Sequence, residues 1–218
     1  MRIKICGITR VEDALAAEAA GADAVGLIFA ERSKRRVTLG QAAEISGALG
    51  PFVARVGVFV NAPSEDVLKA AQTLKLSAAQ LHGQESAAYA AELRSSIQVI
   101  RAVSFNAELD VERLKDFPAD AFLIDGLKPG SGEQFDWGQA KGLGALPHFI
   151  LAGGLTPENV AEAVRTLRPY AVDVASGVEV SPGVKEKGKI QDFVREARRV
   201  ASASGCAQGY PQLSTGSG

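Results

Sequence analysis

The chain is a repeat of one unit. Short runs rich in Val, Ile, Leu and Phe alternate with Ala-, Glu- and Arg-rich stretches of helical period, from the first residues to about residue 200. The apolar runs lie at 2–6, 24–29, 54–60, 78–82, 98–103, 121–125, 148–152 and 171–175. Runs this short and this continuous fit strands buried on both faces, as in parallel sheets. The stretches between them, at 11–20, 40–49, 64–74, 86–95, 108–115, 137–143, 156–167 and 189–203, are the crossover helices such a sheet needs. The clearest start is Thr156-Pro157-Glu158, with a hydroxyl for the cap, proline for the first turn and an acid beside the helix dipole. Eight strand–helix units without a linker predict the α/β class and a single (β/α)8 TIM barrel with a closed, parallel, eight-stranded sheet.

That barrel takes residues 1–200. Residues 201–218 hold no charge and are dominated by Ser, Gly, Ala and Gln, so they are expected to form a flexible C-terminal tail. The balance of 24 Lys+Arg against 25 Asp+Glu gives no electrostatic footprint for nucleic acid or an anionic membrane. No apolar stretch approaches the roughly 20 residues that cross a bilayer. The start reads as a strand and not as a signal peptide, so a cytoplasmic location is expected. Cys6 and Cys206 stand at opposite ends of the chain and form neither a disulfide framework nor a metal cluster. Cys206, in the tail, has no activating neighbours and is read as a bystander.

In such barrels chemistry sits where strands end and βα loops begin. Gly153-Gly154, before a predicted helix, and Ser176-Gly177, after the last strand, lie where barrels commonly bind phosphate through backbone N–H groups, which favours a phosphorylated small-molecule substrate. The plainer alternative is a tight turn. Cys6 ends the first strand, and the period-two alternation puts Lys4 on its face. A thiol with a pKa of about 8.5 needs only about 2 kcal/mol to ionise at pH 7, so Cys6 is either a catalyst or packing. Asp125 ends the sixth strand. As a general acid it would need a site that disfavours its carboxylate, and a cap or loop ion pair remains the alternative. Ser33-Lys34-Arg35-Arg36 is either solvated loop charge or, over the barrel mouth, a fork for a carboxylate. His82 reads as a wall residue, since no ligand-spaced partner accompanies it.

The strings carrying these residues occur in a fixed order. They are Lys4-Ile5-Cys6-Gly7-Ile8-Thr9, Gly21-Ala22-Asp23-Ala24-Val25-Gly26, Ser33-Lys34-Arg35, Val56-Gly57-Val58-Phe59-Val60-Asn61, Gln80-Leu81-His82-Gly83 and Gly130-Ser131-Gly132, then Phe135-Asp136-Trp137, Ala152-Gly153-Gly154-Leu155, Pro157-Glu158-Asn159-Val160 and Val172-Asp173-Val174-Ala175-Ser176-Gly177-Val178-Glu179. Over residues 1 to about 200 the set resembles the phosphoribosylanthranilate isomerases of tryptophan biosynthesis. The resemblance implies a cofactor-free Amadori rearrangement of N-(5-phosphoribosyl)anthranilate to 1-(2-carboxyphenylamino)-1-deoxyribulose 5-phosphate, with no metal. It makes Cys6 the general base and Asp125 the general acid. It pairs Arg35 with the anthranilate carboxylate and gives the phosphate to Gly153, Gly154, Ser176 and Gly177. The departures are Pro129, where a further glycine is common, and Ala175, where a serine often stands before Ser176. Pro129 bears on how a loop closes over the substrate.

Strands 1 and 8 are neighbours in a closed barrel. Lys4 is therefore expected to pair with Asp173 beneath Cys6, where its ammonium could lower the thiol pKa and the pairing would blunt that effect. The alternatives are a non-catalytic phosphosugar-binding barrel, the histidine-pathway isomerase that runs the same rearrangement, or an indole-glycerol-phosphate synthase. The second normally uses an acid where Cys6 stands, and the third needs a lysine and a glutamate at strand ends that this chain lacks.

Overall fold

A computed structural model describes residues 1–106, 109–126 and 141–203, with Lys141 and residues 201–203 as backbone only. The strands β1 (Arg2–Ile5), β2 (Ala24–Ile28), β3 (Ala54–Phe59), β4 (Ala78–Leu81), β5 (Gln98–Ser104), β6 (Ala121–Asp125), β7 (Phe149–Leu151) and β8 (Ala171–Val174) pair in parallel and close into a barrel in chain order. Closure is made by β1 against β8, with Lys4 opposite Asp173. The expected TIM barrel is the observed fold.

The helices between them are α1 (Val11–Ala20), α2 (Leu39–Ala48), α3 (Ser64–Leu74), α4 (Ala87–Arg94), α5 (Val111–Lys115) and α6 (Val160–Leu167), and α7 (Lys187–Ala203) follows the last strand. Their boundaries follow their caps. Thr38 caps α2, accepting from the Gln41 N–H while the Gln41 side chain accepts from the Thr38 N–H, so that helix begins one residue early. Asp110 caps α5 and shortens the expected 108–115. Thr156-Pro157-Glu158 forms a turn, not the first turn of a regular helix: Val160 N–H reaches Thr156 O at 3.1 Å, and the α-helix proper starts at Val160. The expected 148–152 strand loses His148 to a left-handed backbone, φ 46°. The helix expected at 137–143 lies largely outside the described residues, which show a 3₁₀ turn at Lys141–Ala145. The tail beyond residue 203, with Cys206, lies outside them too.

One element was not anticipated. After a 3₁₀ turn at Ser176–Val178, β9 (Glu179–Ser181) and β10 (Val184–Lys185) form an antiparallel hairpin before α7. It is fastened across the β1–α1 segment, where Thr9 Oγ1 donates to Gly183 O and Lys185 N–H donates to Asp13 Oδ2 at 3.0 Å.

Two apolar layers hold the barrel. The larger lies between sheet and helices and includes Ile3, Ile5, Leu27, Phe122, Leu151 and Phe193. At roughly 1.5–3 kcal/mol for each large side chain fully buried, it is the main source of stability. The inner layer is made of smaller residues, Val56, Ala78, Ala102, Ala121, Leu123 and Ile150 among them. Small residues leave room within the barrel for polar ones.

Candidate active site

The polar residues of the barrel interior reach across it. Lys4 Nζ, on β1, donates to Asp173 Oδ1 on the adjacent β8 at 3.0 Å and to Gln80 Oε1 on β4 at 3.0 Å. Strands β1 and β4 are not neighbours, so the second bond spans the interior and fixes all three side chains as inward-facing. The expected Lys4–Asp173 pair is present beneath Cys6. Burial pulls the Lys4 ammonium down, but the charges of Asp173 and Cys6 and their hydrogen bonds outweigh it, so it stays above its ordinary range.

Cys6 follows β1 directly, with its N–H bonded to Val174 O at 2.8 Å and only 6% of its surface exposed. The thiol fits because residue 26 of the adjacent strand is glycine: a Cβ there would stand 2.6 Å from Sγ. The sum of influences on this thiol includes one that the expectation from sequence left out, its own burial. Burial pushes it up, Asp173 pushes it further, and Lys4 and then Lys185 pull it down without prevailing, so the Cys6 pKa is raised. Lys4 acts in the expected direction, but desolvation dominates.

Asp125 closes β6 on the same C-terminal rim, with its side chain 40% exposed. His82 Nε2, just past β4, lies 3.6 Å from Asp125 Oδ2, and Gln80 Nε2 lies 3.4 Å from His82 Nδ1. His82 is thus part of the wall, next to the acid.

Arg35 comes from the loop after β2 and meets Glu179 at the start of β9. Its Nε and Nη2 donate to the two carboxylate oxygens at 2.8 and 2.6 Å. The fork expected to hold a ligand carboxylate is therefore engaged within the protein, and Nη1 takes no part in that pair. Glu179 Oε1 also accepts from Lys185 Nζ at 2.8 Å, and that ammonium, its side chain fully buried, donates to Ala175 O as well. Burial raises the Glu179 carboxyl, yet hydrogen bonds from Arg35 and Lys185 bring it below its ordinary range.

The two glycine loops lie against each other. A Cβ on Gly177 would fall 1.9 Å from Leu155 O, so only glycine permits this approach of the loops after β7 and β8. Gly153 and Gly154 are both left-handed, φ 88° and 63°. Asn159 fastens the first loop, accepting from Thr156 N–H and donating to Gly154 O. The N–H groups of Gly153 and Gly154 bond to no acceptor among the described residues. Gly154 and Ser176 are exposed. Open N–H donors at this rim, beside a short extra helical turn, match the usual phosphate position of such barrels.

Residues 3–196 match the family model for N-(5'-phosphoribosyl)anthranilate isomerase. The chain belongs to that family. It is 43% identical over 208 residues to the isomerase of Pelobacter propionicus, covering 94% of this chain and 99% of that one. The isomerase of Rubrobacter xylanophilus is 46% identical, with coverage of 90% and 98%. Among solved structures, the phosphoribosyl anthranilate isomerase of Thermus thermophilus superposes with a TM-score of 0.83 at 47% identity, covering 92% of this chain and all of that one. A second, at 42% identity and TM-score 0.84 with coverage of 91% and 99%, is a complex with reduced 1-(o-carboxyphenylamino)-1-deoxyribulose 5-phosphate. The chain is accordingly an isomerase of tryptophan biosynthesis.

Reading the sequence missed Gln80, Glu179 and Lys185 as parts of the site. Gln80 carried a signal, being polar in an apolar strand and two residues before His82. Lys185 carried none.

Proposed function

We propose that Cys6 is the general base and Asp125 the general acid of the rearrangement of N-(5-phosphoribosyl)anthranilate. One observation carries this reading: Cys6 and Asp125 stand at the ends of β1 and β6 on one rim, and that rim also presents the open N–H groups of Gly153 and Gly154. Asp125 protonates the furanose oxygen. The C1–O bond breaks as the nitrogen lone pair forms the iminium, and the iminium then accepts the electron pair released at C2. Cys6 takes the C2 proton as its thiolate, a form that burial disfavours and that Lys4 and Lys185 favour. The resulting enolamine relaxes to the aminoketone, so C1 is reduced as C2 is oxidised and no outside oxidant or reductant is needed.

The loops at Gly153, Gly154, Ser176 and Gly177 bind the phosphate, and Arg35, through the amino group not engaged with Glu179, donates to the anthranilate carboxylate. Holding both ends turns binding energy into orientation of the sugar between acid and base. Residues 1–200 act as the catalytic barrel with residues 201–218 as an appended tail. None of the described helices is long and apolar enough to cross a membrane. The near-neutral charge favours a small-molecule enzyme of the cytoplasm over a nucleic-acid or membrane-surface protein.

Loss of phosphoribosylanthranilate fluorescence reports turnover. Cys6→Ser and Asp125→Asn should each lower kcat by roughly 10²–10⁴ while binding the reduced product analogue. A Cys6→Ser enzyme with full turnover would refute the assignment of the base.

A further inference from the structure

Polar side chains run in a row from the buried Asp173, Lys4 and Gln80 to the half-buried His82 and Asp125: the first three separations, 3.0, 3.0 and 3.4 Å, are within hydrogen-bond distance, and His82 and Asp125 face each other at 3.6 Å. Gln80 is 1% exposed, so its amide is oriented by protein partners and not by water. An ammonium carries donors alone, which dictates that the Gln80 oxygen faces Lys4. The amide nitrogen then faces His82. It too carries donors alone, so Nδ1 is an acceptor and the single proton of the neutral imidazole sits on Nε2, the nitrogen nearest Asp125.

We infer that Gln80 is a positioning residue that sets the tautomer of His82, so that an N–H and not a lone pair faces the Asp125 carboxyl. This rests on the reading of Asp125 as the general acid. A lone pair on Nε2 would accept the acid's own proton and turn it from the sugar oxygen. An N–H, 3.6 Å from one carboxyl oxygen, has no lone pair to take that proton and leaves it for the substrate. His148 provides an internal contrast: its Nδ1 lies 2.8 Å from the carbonyl of Asp120, which can only accept, so its proton is on Nδ1. The two histidines of the chain are therefore in opposite tautomers.

Long-range proton–nitrogen correlation spectra of the ¹⁵N-labelled full chain, at mildly alkaline pH, distinguish the two forms. A His148→Gln variant assigns the signals. The expected result is Nε2–H for His82 and Nδ1–H for His148 in the unmodified protein. Gln80→Glu, whose carboxylate only accepts, should move the His82 proton to Nδ1 and lower kcat roughly tenfold with KM little changed, the scale of one hydrogen bond. His82 as Nδ1–H in the unmodified protein, or unaltered kcat after the tautomer has moved, overturns the inference. The acid is tested apart from it: an Asp125→Asn enzyme with full turnover refutes the reading of Asp125, whereas an inert one beside the wrong His82 tautomer refutes only the role of Gln80.

Discussion

Four influences compete for the proton of Cys6. Burial and Asp173 hold it on, and Lys4 and Lys185 favour its release. Because Asp173 raises the thiol pKa, removing its charge must lower it. Asp173→Asn keeps the shape beside Lys4 and should shift the pH midpoint of Cys6 alkylation downward, measured in a Cys206→Ser background so that one thiol reports. A midpoint that stays or rises would mean that Asp173 acts on Cys6 chiefly by keeping Lys4 charged and in place. At this scale the sequence was informative about Cys6, Lys4 and Asp173, since strand parity and barrel closure are enough to bring them together. It was not informative about the sum of their effects, because desolvation depends on everything packed around the sulfur.

The hairpin of β9 and β10 is where element-level reading fell short. Ser181-Pro182-Gly183 between Val180 and Val184 is a turn signal, with Gly183 at φ 84°, yet two short strands leave little periodicity to detect. Its function rests on Glu179, which holds Arg35 over the rim and neutralises the buried Lys185. Glu179→Ala leaves that ammonium buried without its counter-charge and should cost about 3–5 kcal/mol in urea unfolding. Adding Lys185→Met should restore most of the loss, and failure to do so would show that the cost lies in Arg35. The pH dependence has a definite sign. The carboxyl is lowered in the folded protein, so its contribution is complete above the ordinary glutamate value of about 4.3 and is lost as pH falls through the lower folded value. The Glu179→Ala variant should lack this part of the acid-induced loss of stability.

For the molecule as a whole, the closed sheet makes residues far apart in the chain interdependent, and the segment after residue 203 carries no charged residue. Ending the chain after Ala203 should leave the urea midpoint within about 0.5 kcal/mol of the full chain and turnover unchanged. A larger loss on either measure would assign the segment a part in the barrel. The repeat of strand and helix, the inward parity of Lys4 and Cys6 and the glycines of the last two loops were all determined by the sequence, because each depends on backbone periodicity or on contacts nearby in the chain. Only the tertiary structure decided that Arg35 meets Glu179, 144 residues away, and that Lys4 meets Gln80, 76 residues away. Local preferences fix which face a side chain takes, whereas its partner across a closed barrel is set by register and loop path, which no single segment contains.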